Sequence, residues 1–213
     1  MPDKPLTTDV LAAAFQRLTR SPDFVRRIKW WLTIGHSAER WLQFEYAHSL
    51  QIECDILYPN QYAVACEQQY ADIVLFKLKH PLPDYRPIEK ELVVAKLEVK
   101  FNGNWYTIGN TFSGISDDMN KVDGYKVPSV ALAFWIFAEP TLDYPMNHSM
   151  YCWISKQVNS RRKRPTKEMV FGELENMKFT QIFPDPKRDN NPERNAGCEM
   201  LDFVLYEHRN RHA

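Results

Sequence analysis

The chain has 213 residues, 44% of them hydrophobic and 25% charged, with 27 Lys and Arg balanced by 27 Asp and Glu. That length can bury one substantial core, so a single domain over 1–213 is expected, and an aromatic share of 13% argues against a disordered chain. Zero net charge excludes an overall basic surplus, so any attraction to phosphates has to come from local clustering.

Residues 1–36 read as accessory helices. Thr8 or Asp9 could cap one through Leu11, Phe15 and Leu18, and Ser21-Pro22-Asp23 starts another towards Trp30 and Trp31. Ser37 can cap the next helix, 38–51, where Leu42, Tyr46 and Leu50 share a stripe with Glu39 and Gln43 at its margin. Glu45 lies closer to Trp41 and His48 on a neighbouring face. Tyr58-Pro59-Asn60 marks a break before the strand-like run Ala71-Asp72-Ile73-Val74-Leu75-Phe76. His80-Pro81-Leu82-Pro83-Asp84 reads as a turn region, since prolines cannot continue a central strand.

Residues 92–101, Leu-Val-Val-Ala-Lys-Leu-Glu-Val-Lys-Phe, alternate with period two. Val93, Ala95, Leu97, Val99 and Phe101 share one face, and Lys96, Glu98 and Lys100 the other. Asn102-Gly103-Asn104 signals a turn, and a short helix over 116–124 would expose Asp117, Asp118 and Lys121. Residues 130–137 are nearly all apolar, as in a strand buried on both faces. Beyond them, 146–158 suits a helix, 185–197 a polar loop and 200–206 a last strand. The segment 160–167 gathers Arg161, Arg162, Lys163, Arg164 and Lys167 around Pro165. This order predicts an α/β fold with a mixed central β-sheet flanked by helices, its core at 37–138 and completed by 139–213.

Cys54, Cys66, Cys152 and Cys198 form no Cys-x-x-Cys pair, which argues against a zinc site and for reduced thiols in a cytoplasmic protein. No secretory signal is visible, and the longest apolar run, 130–138, is too short to cross a bilayer. No membrane partner is expected.

Asp72, Glu98 and Lys100 could hold a metal ion and activate water. Phosphodiester hydrolysis needs a Lewis acid, an activated water and a stabilised leaving oxygen, and Mg²⁺ (or Mn²⁺) takes oxygen ligands while keeping waters of its own. Asp72 and Glu98 would supply two carboxylates from adjacent strands, and the Val99 carbonyl a third oxygen. Lys100 shares a strand face with Glu98, roughly 7 Å along, and could hold the water or stabilise charge on the phosphate. Arg161, Arg162, Lys163 and Arg164 could contact a nucleic-acid backbone, while Trp105 and Tyr106 could stack on bases or belong to the core.

A helix carrying a glutamate, then Ala-Asp-Ile-Val-Leu-Phe, then Leu-Glu-Val-Lys resembles the PD-(D/E)XK nuclease superfamily over about residues 37–138. The resemblance implies a restriction-endonuclease-like fold and Mg²⁺- or Mn²⁺-dependent DNA hydrolysis. It puts the first acidic motif on Asp72 and the acid-x-lysine motif on Glu98, Val99 and Lys100, with Glu39, or else Glu45, as the helix glutamate. Ala71 replaces the proline that many members place before the aspartate. A homodimer would suit cutting of both strands, and RNA stays open as a substrate.

Three other readings compete. Gly35-His36-Ser37-Ala38-Glu39 has the outline of a nucleophile elbow, with Asp143 and His148 or His208 as partners, but Glu39 stands where the second glycine belongs. Gly109–Gly114 has the glycine spacing of a phosphate loop, yet Ile115-Ser116 replaces the required lysine and hydroxyl residue. The third is a non-catalytic binding module on the same fold.

Overall fold

The structure, a computed structural model, describes residues 5–34, 39–68, 70–78, 92–103, 108–138, 167–184 and 201–213. Helix α1 (Thr8–Arg20) is capped one residue earlier than expected: the Thr7 hydroxyl accepts from the Val10 N–H at 3.3 Å. Asp9 is thereby left in the first turn, where its charge complements the helix dipole. Ser21 ends α1 and opens α2 (Pro22–Ile34), accepting from the Phe24 N–H, and proline at the first helical position gives up no hydrogen bond.

Helix α3 (Glu39–Leu57) buries the expected stripe but runs past residue 51. Its extension is tied to strand β1 (Tyr62–Gln68): the Gln51 amide accepts from the Val64 N–H at 2.7 Å and donates to the Tyr62 carbonyl at 3.2 Å. Those two bonds also occupy the outer edge of β1, which would otherwise be open to pairing with another chain.

The other strands are β2 (Ala71–Lys77), β3 (Val93–Gly103), β4 (Ser129–Ala138), β5 (Thr180–Phe183) and β6 (Leu201–Arg209). They form one six-stranded mixed sheet in the order β1-β2-β3-β4-β6-β5. Only β3 and β4 run parallel, joined through helix α4 (Ile108–Gly124); the other neighbours are antiparallel. Helix α5 (Lys167–Asn176) precedes β5.

Two expectations about the segment after residue 101 are corrected. Asn102 and Gly103 continue β3 opposite Trp135 and Ile136 instead of turning. Helix α4 begins at Ile108, so Gly109–Gly114 is helical and offers no loop to wrap a phosphate. The elements β1, α5 and β5 had no counterpart in the sequence reading. The turn region 80–84, the helix expected over 146–158, the loop 185–197, Cys152 and Cys198 lie outside the described residues, whereas Cys54 and Cys66 are free thiols.

Apolar residues pack on both sides of the sheet. Leu11, Phe15, Ile28 and Leu50 from α1 to α3 cover Leu75, Leu97, Val99, Leu132, Phe134 and Leu205 on one face. On the other, Ile115 and Val122 of α4 and Val170 and Leu174 of α5 cover Ala131, Ala133, Trp135, Val204 and Tyr206. That second layer spans β4 and β6 but not β3, which presents Lys96, Glu98 and Lys100 on this face. Among the described residues, no helix is long and apolar enough to cross a membrane.

Candidate active site

Ile73 stands opposite Leu97 in the antiparallel β2–β3 ladder, which places Asp72 beside Glu98 on adjacent strands. The ladder stops there, and Asp72 closes it with its side chain: Oδ2 accepts from the Val99 N–H at 2.8 Å. The free edge of β3 beyond this point is met by α3, where the Gln43 side-chain amide donates to the Val99 carbonyl at 3.5 Å. Val99 therefore buries its side chain in the core and offers only backbone to the site.

Where β2 and β3 part lies an open pocket of about 380 Å³. Glu39, Arg40 and Gln43 of α3 form one wall, and Glu67 of β1 and Asp72 of β2 another. Lys100 of β3, with Asp118 and Lys121 of α4, completes it. The Lys100 Nζ lies 2.7 Å from Glu39 Oε1, and its stem runs under α4 at Gly114, where an added Cβ would come within 3.0 Å of Lys100 Cε. Arg40 pairs with Glu67 at 2.7 Å. Glu67 itself has φ of 52°, a left-handed conformation uncommon outside glycine.

Glu98 stands behind this pocket, 1% exposed. The Tyr125 hydroxyl donates to one of its oxygens, and the Lys121 ammonium lies 3.3 Å from the other while also reaching Asp118 at 3.0 Å. Tyr125 is held from below by Asn210, whose side-chain amide donates to the carbonyls of Val122, Tyr125 and Val127. The expectation of an exposed Asp118 is corrected: its side chain is 13% exposed because it turns inward to Lys121.

Burial raises the pKa of Asp72, against the lowering effect of the Val99 N–H, and the nearby Asp118 adds to the rise. Burial likewise raises that of Glu98, with the Tyr125 hydrogen bond opposing it and the charge of Asp72 reinforcing it. For Lys100 burial works against the ammonium, but the hydrogen bond and charge of Glu39, with Asp118 and Asp72, outweigh it and the pKa is raised. A buried acid and a partly buried one, both holding their protons more tightly than usual beside a lysine that stays charged, form a site where a cation is electrostatically welcome.

Of the two helix glutamates, Glu39 borders the pocket, while Glu45 is engaged by Arg27 and by the Trp41 indole N–H. Ser37, Trp105, Tyr106, Asp143, His148, Arg161, Arg162, Lys163 and Arg164 lie outside the described residues. His208 pairs with Asp123 at 3.0 Å. Arg40, Glu67 and Tyr125 were missed in the sequence reading, and Asp118 and Lys121 carried no role there. The spacing of Asp118, Lys121 and Tyr125 at i, i+3 and i+7 was the available signal, since it puts all three on one side of α4 and its exit.

Among the described residues no three His, Cys, Asp or Glu converge as a ready metal cage. What fits a divalent ion is the donor chemistry: hard oxygens of the Asp72 and Glu98 carboxylates and of the Val99 carbonyl. Glu98 has to give up Lys121 to take that part. Compared with protein-family models, curated proteins and solved structures, the chain matches none.

Proposed function

We propose that this protein is a metal-dependent nuclease that hydrolyses phosphodiester bonds in DNA, its mixed sheet being of the restriction-endonuclease-like type. The observation that carries the reading is the meeting of Asp72 and the Glu39-bound Lys100 at one open polar pocket, with Glu98 beside Asp72 on the next strand. Asp72, Glu98 and the Val99 carbonyl would hold Mg²⁺ or Mn²⁺. Bound there, such an ion supplies a Lewis acid for the phosphoryl oxygen and makes water a better nucleophile at neutral pH.

The chain's own groups do the rest. Lys100 is the catalytic residue that orients the attacking water and stabilises charge on the phosphate. Glu39 is a positioning residue: it holds the Lys100 ammonium in place and keeps it protonated. Gln43 keeps the Val99 carbonyl oriented. Arg40, 76% exposed at the pocket rim, and the basic run Arg161–Arg164 would contact the nucleic-acid backbone without reading its sequence. A homodimer would present two such pockets to a duplex.

The test is incubation of the purified protein with plasmid, single-stranded and branched DNA, and with RNA, in Mn²⁺ or Mg²⁺ and in chelator. Cleavage that requires the metal and is lost in Asp72→Asn is the expected result. A specific observation favours a second reading, a nucleic-acid-binding module on the same fold: both oxygens of Glu98 already have partners within the chain. Binding of DNA without cleavage in any metal would select that module.

A further inference from the structure

The geometry points to Lys121 as the resident counter-ion of Glu98, which a divalent cation has to displace before Glu98 can bind it. This rests on the metal-dependent reading of the site and adds a control on metal occupancy. The Lys121 ammonium stands between two carboxylates from different elements, 3.3 Å from Glu98 on β3 and 3.0 Å from Asp118 on α4. The ammonium thus engages the same Glu98 carboxylate that the proposed ion would use.

The two partners differ sharply in their access to water. Glu98 is 1% exposed, whereas the Lys121 side chain is 52% exposed. Leaving the buried Glu98 charged without this ammonium costs free energy, so the lysine suits the metal-free state. Its flexible stem lets the ammonium swing into solvent without moving α4. What it leaves behind is Glu98 and Asp118 together, with Asp72 on the neighbouring strand. Lys100 plays no such part, since Glu39 holds it across the pocket.

The consequence is competition. Each divalent ion that enters displaces an ammonium, so removal of that ammonium should tighten metal binding. Mn²⁺ titration calorimetry on the intact protein tests this with Lys121→Met, Lys121→Arg, Arg40→Met and Asp72→Asn. Lys121→Met should bind Mn²⁺ about tenfold more tightly than the unaltered protein. Lys121→Arg should stay within about twofold, because the cation is kept. Arg40→Met also removes a positive charge from the pocket wall, but it should gain far less, because Arg40 pairs with Glu67 and not with Glu98.

Equal gains in Lys121→Met and Arg40→Met would overturn displacement in favour of a general charge effect. So would unchanged or weaker binding in Lys121→Met. If the unaltered protein binds Mn²⁺ and Asp72→Asn does not, either result sinks the counter-ion alone and leaves the metal reading standing. Absence of binding in every variant sinks both. Thermal melts in chelator check folding, and Lys121→Gln replaces the methionine variant if that one is unfolded.

Discussion

Strands β3 and β4 are parallel neighbours joined by one helix, yet their side chains serve opposite ends. β4 is apolar on both sides: Val130, Leu132, Phe134 and Ile136 enter one core, and Ala131, Ala133, Trp135 and Phe137 the other. β3 matches it only on the first side, with Ala95, Leu97, Val99 and Phe101. On the second, Glu98 lies beside Ala131 and Lys100 beside Ala133, so small alanines leave room where charge replaces packing. Apolar residues at 98 and 100 would close the second core over β3. The contrast teaches that β4 carries stability, while β3 bears a desolvation cost that the fold does not require.

The largest effect should come from β4. Phe134 is 1% exposed and meets Phe15 and Phe101 with ring centroids 4.4 and 4.5 Å away. Phe134→Ala should therefore lose roughly 3–5 kcal/mol of unfolding free energy, read from denaturant melts. On β3 the pattern should invert. Lys100→Met keeps the stem under α4 and removes the ammonium, so cleavage should fall by about 10²–10³ while the melt barely moves. A large stability loss in Lys100→Met would break the comparison, because the lysine would then be a structural residue.

The pH dependence sharpens the same point. The pKa values of Asp72 and Glu98 are raised by burial, so the folded protein holds these protons more tightly than the unfolded chain. For such groups stability falls as pH rises from the ordinary carboxylate value through the raised one, and the deficit persists above it. As pH rises from about 4, the ordinary carboxylate value, through the raised values, the unaltered protein should lose stability relative to Asp72→Asn/Glu98→Gln. Near neutrality the double variant should be the more stable of the two. A double variant less stable at neutral pH would mean that the ion pair with Lys121 outweighs the desolvation it relieves.

How much of this the sequence discloses depends on the range of the interactions. Alternation along 92–101 separates Glu98 and Lys100 from Leu97 and Val99, and the unbroken apolar run at 130–137 marks the doubly buried β4. Both are local patterns. β1 escapes notice because Tyr62-Ala63-Val64-Ala65 has no polar alternation, and what makes it a strand is pairing with β2 and Gln51. The first turns of α4 contain Gly109 and Gly114 and read as loop, yet the chain is helical from Ile108. The pairing of Glu39 with Lys100 spans 61 residues. It follows from where β2 and β3 part, which no local pattern encodes.

Gly114 gives the smallest and most discriminating test. It is a helical glycine in α4, and alanine there should favour the helix by up to about 1 kcal/mol. Against that gain, the new Cβ would stand 3.0 Å from Lys100 Cε, closer than a carbon contact tolerates. The obstacle is a flexible stem, so the lysine should yield by a few tenths of an ångström rather than the helix. The expected Gly114→Ala protein is thus as stable as the unaltered one, or slightly more so, and binds Mn²⁺ equally well. Cleavage should drop about tenfold, since the ammonium would be pushed off its position against Glu39. Stability and activity moving in opposite directions from one methyl group is what the division between β4 and β3 requires. If both fell together, α4 would be yielding instead, and the charged face of β3 would be part of the packing after all.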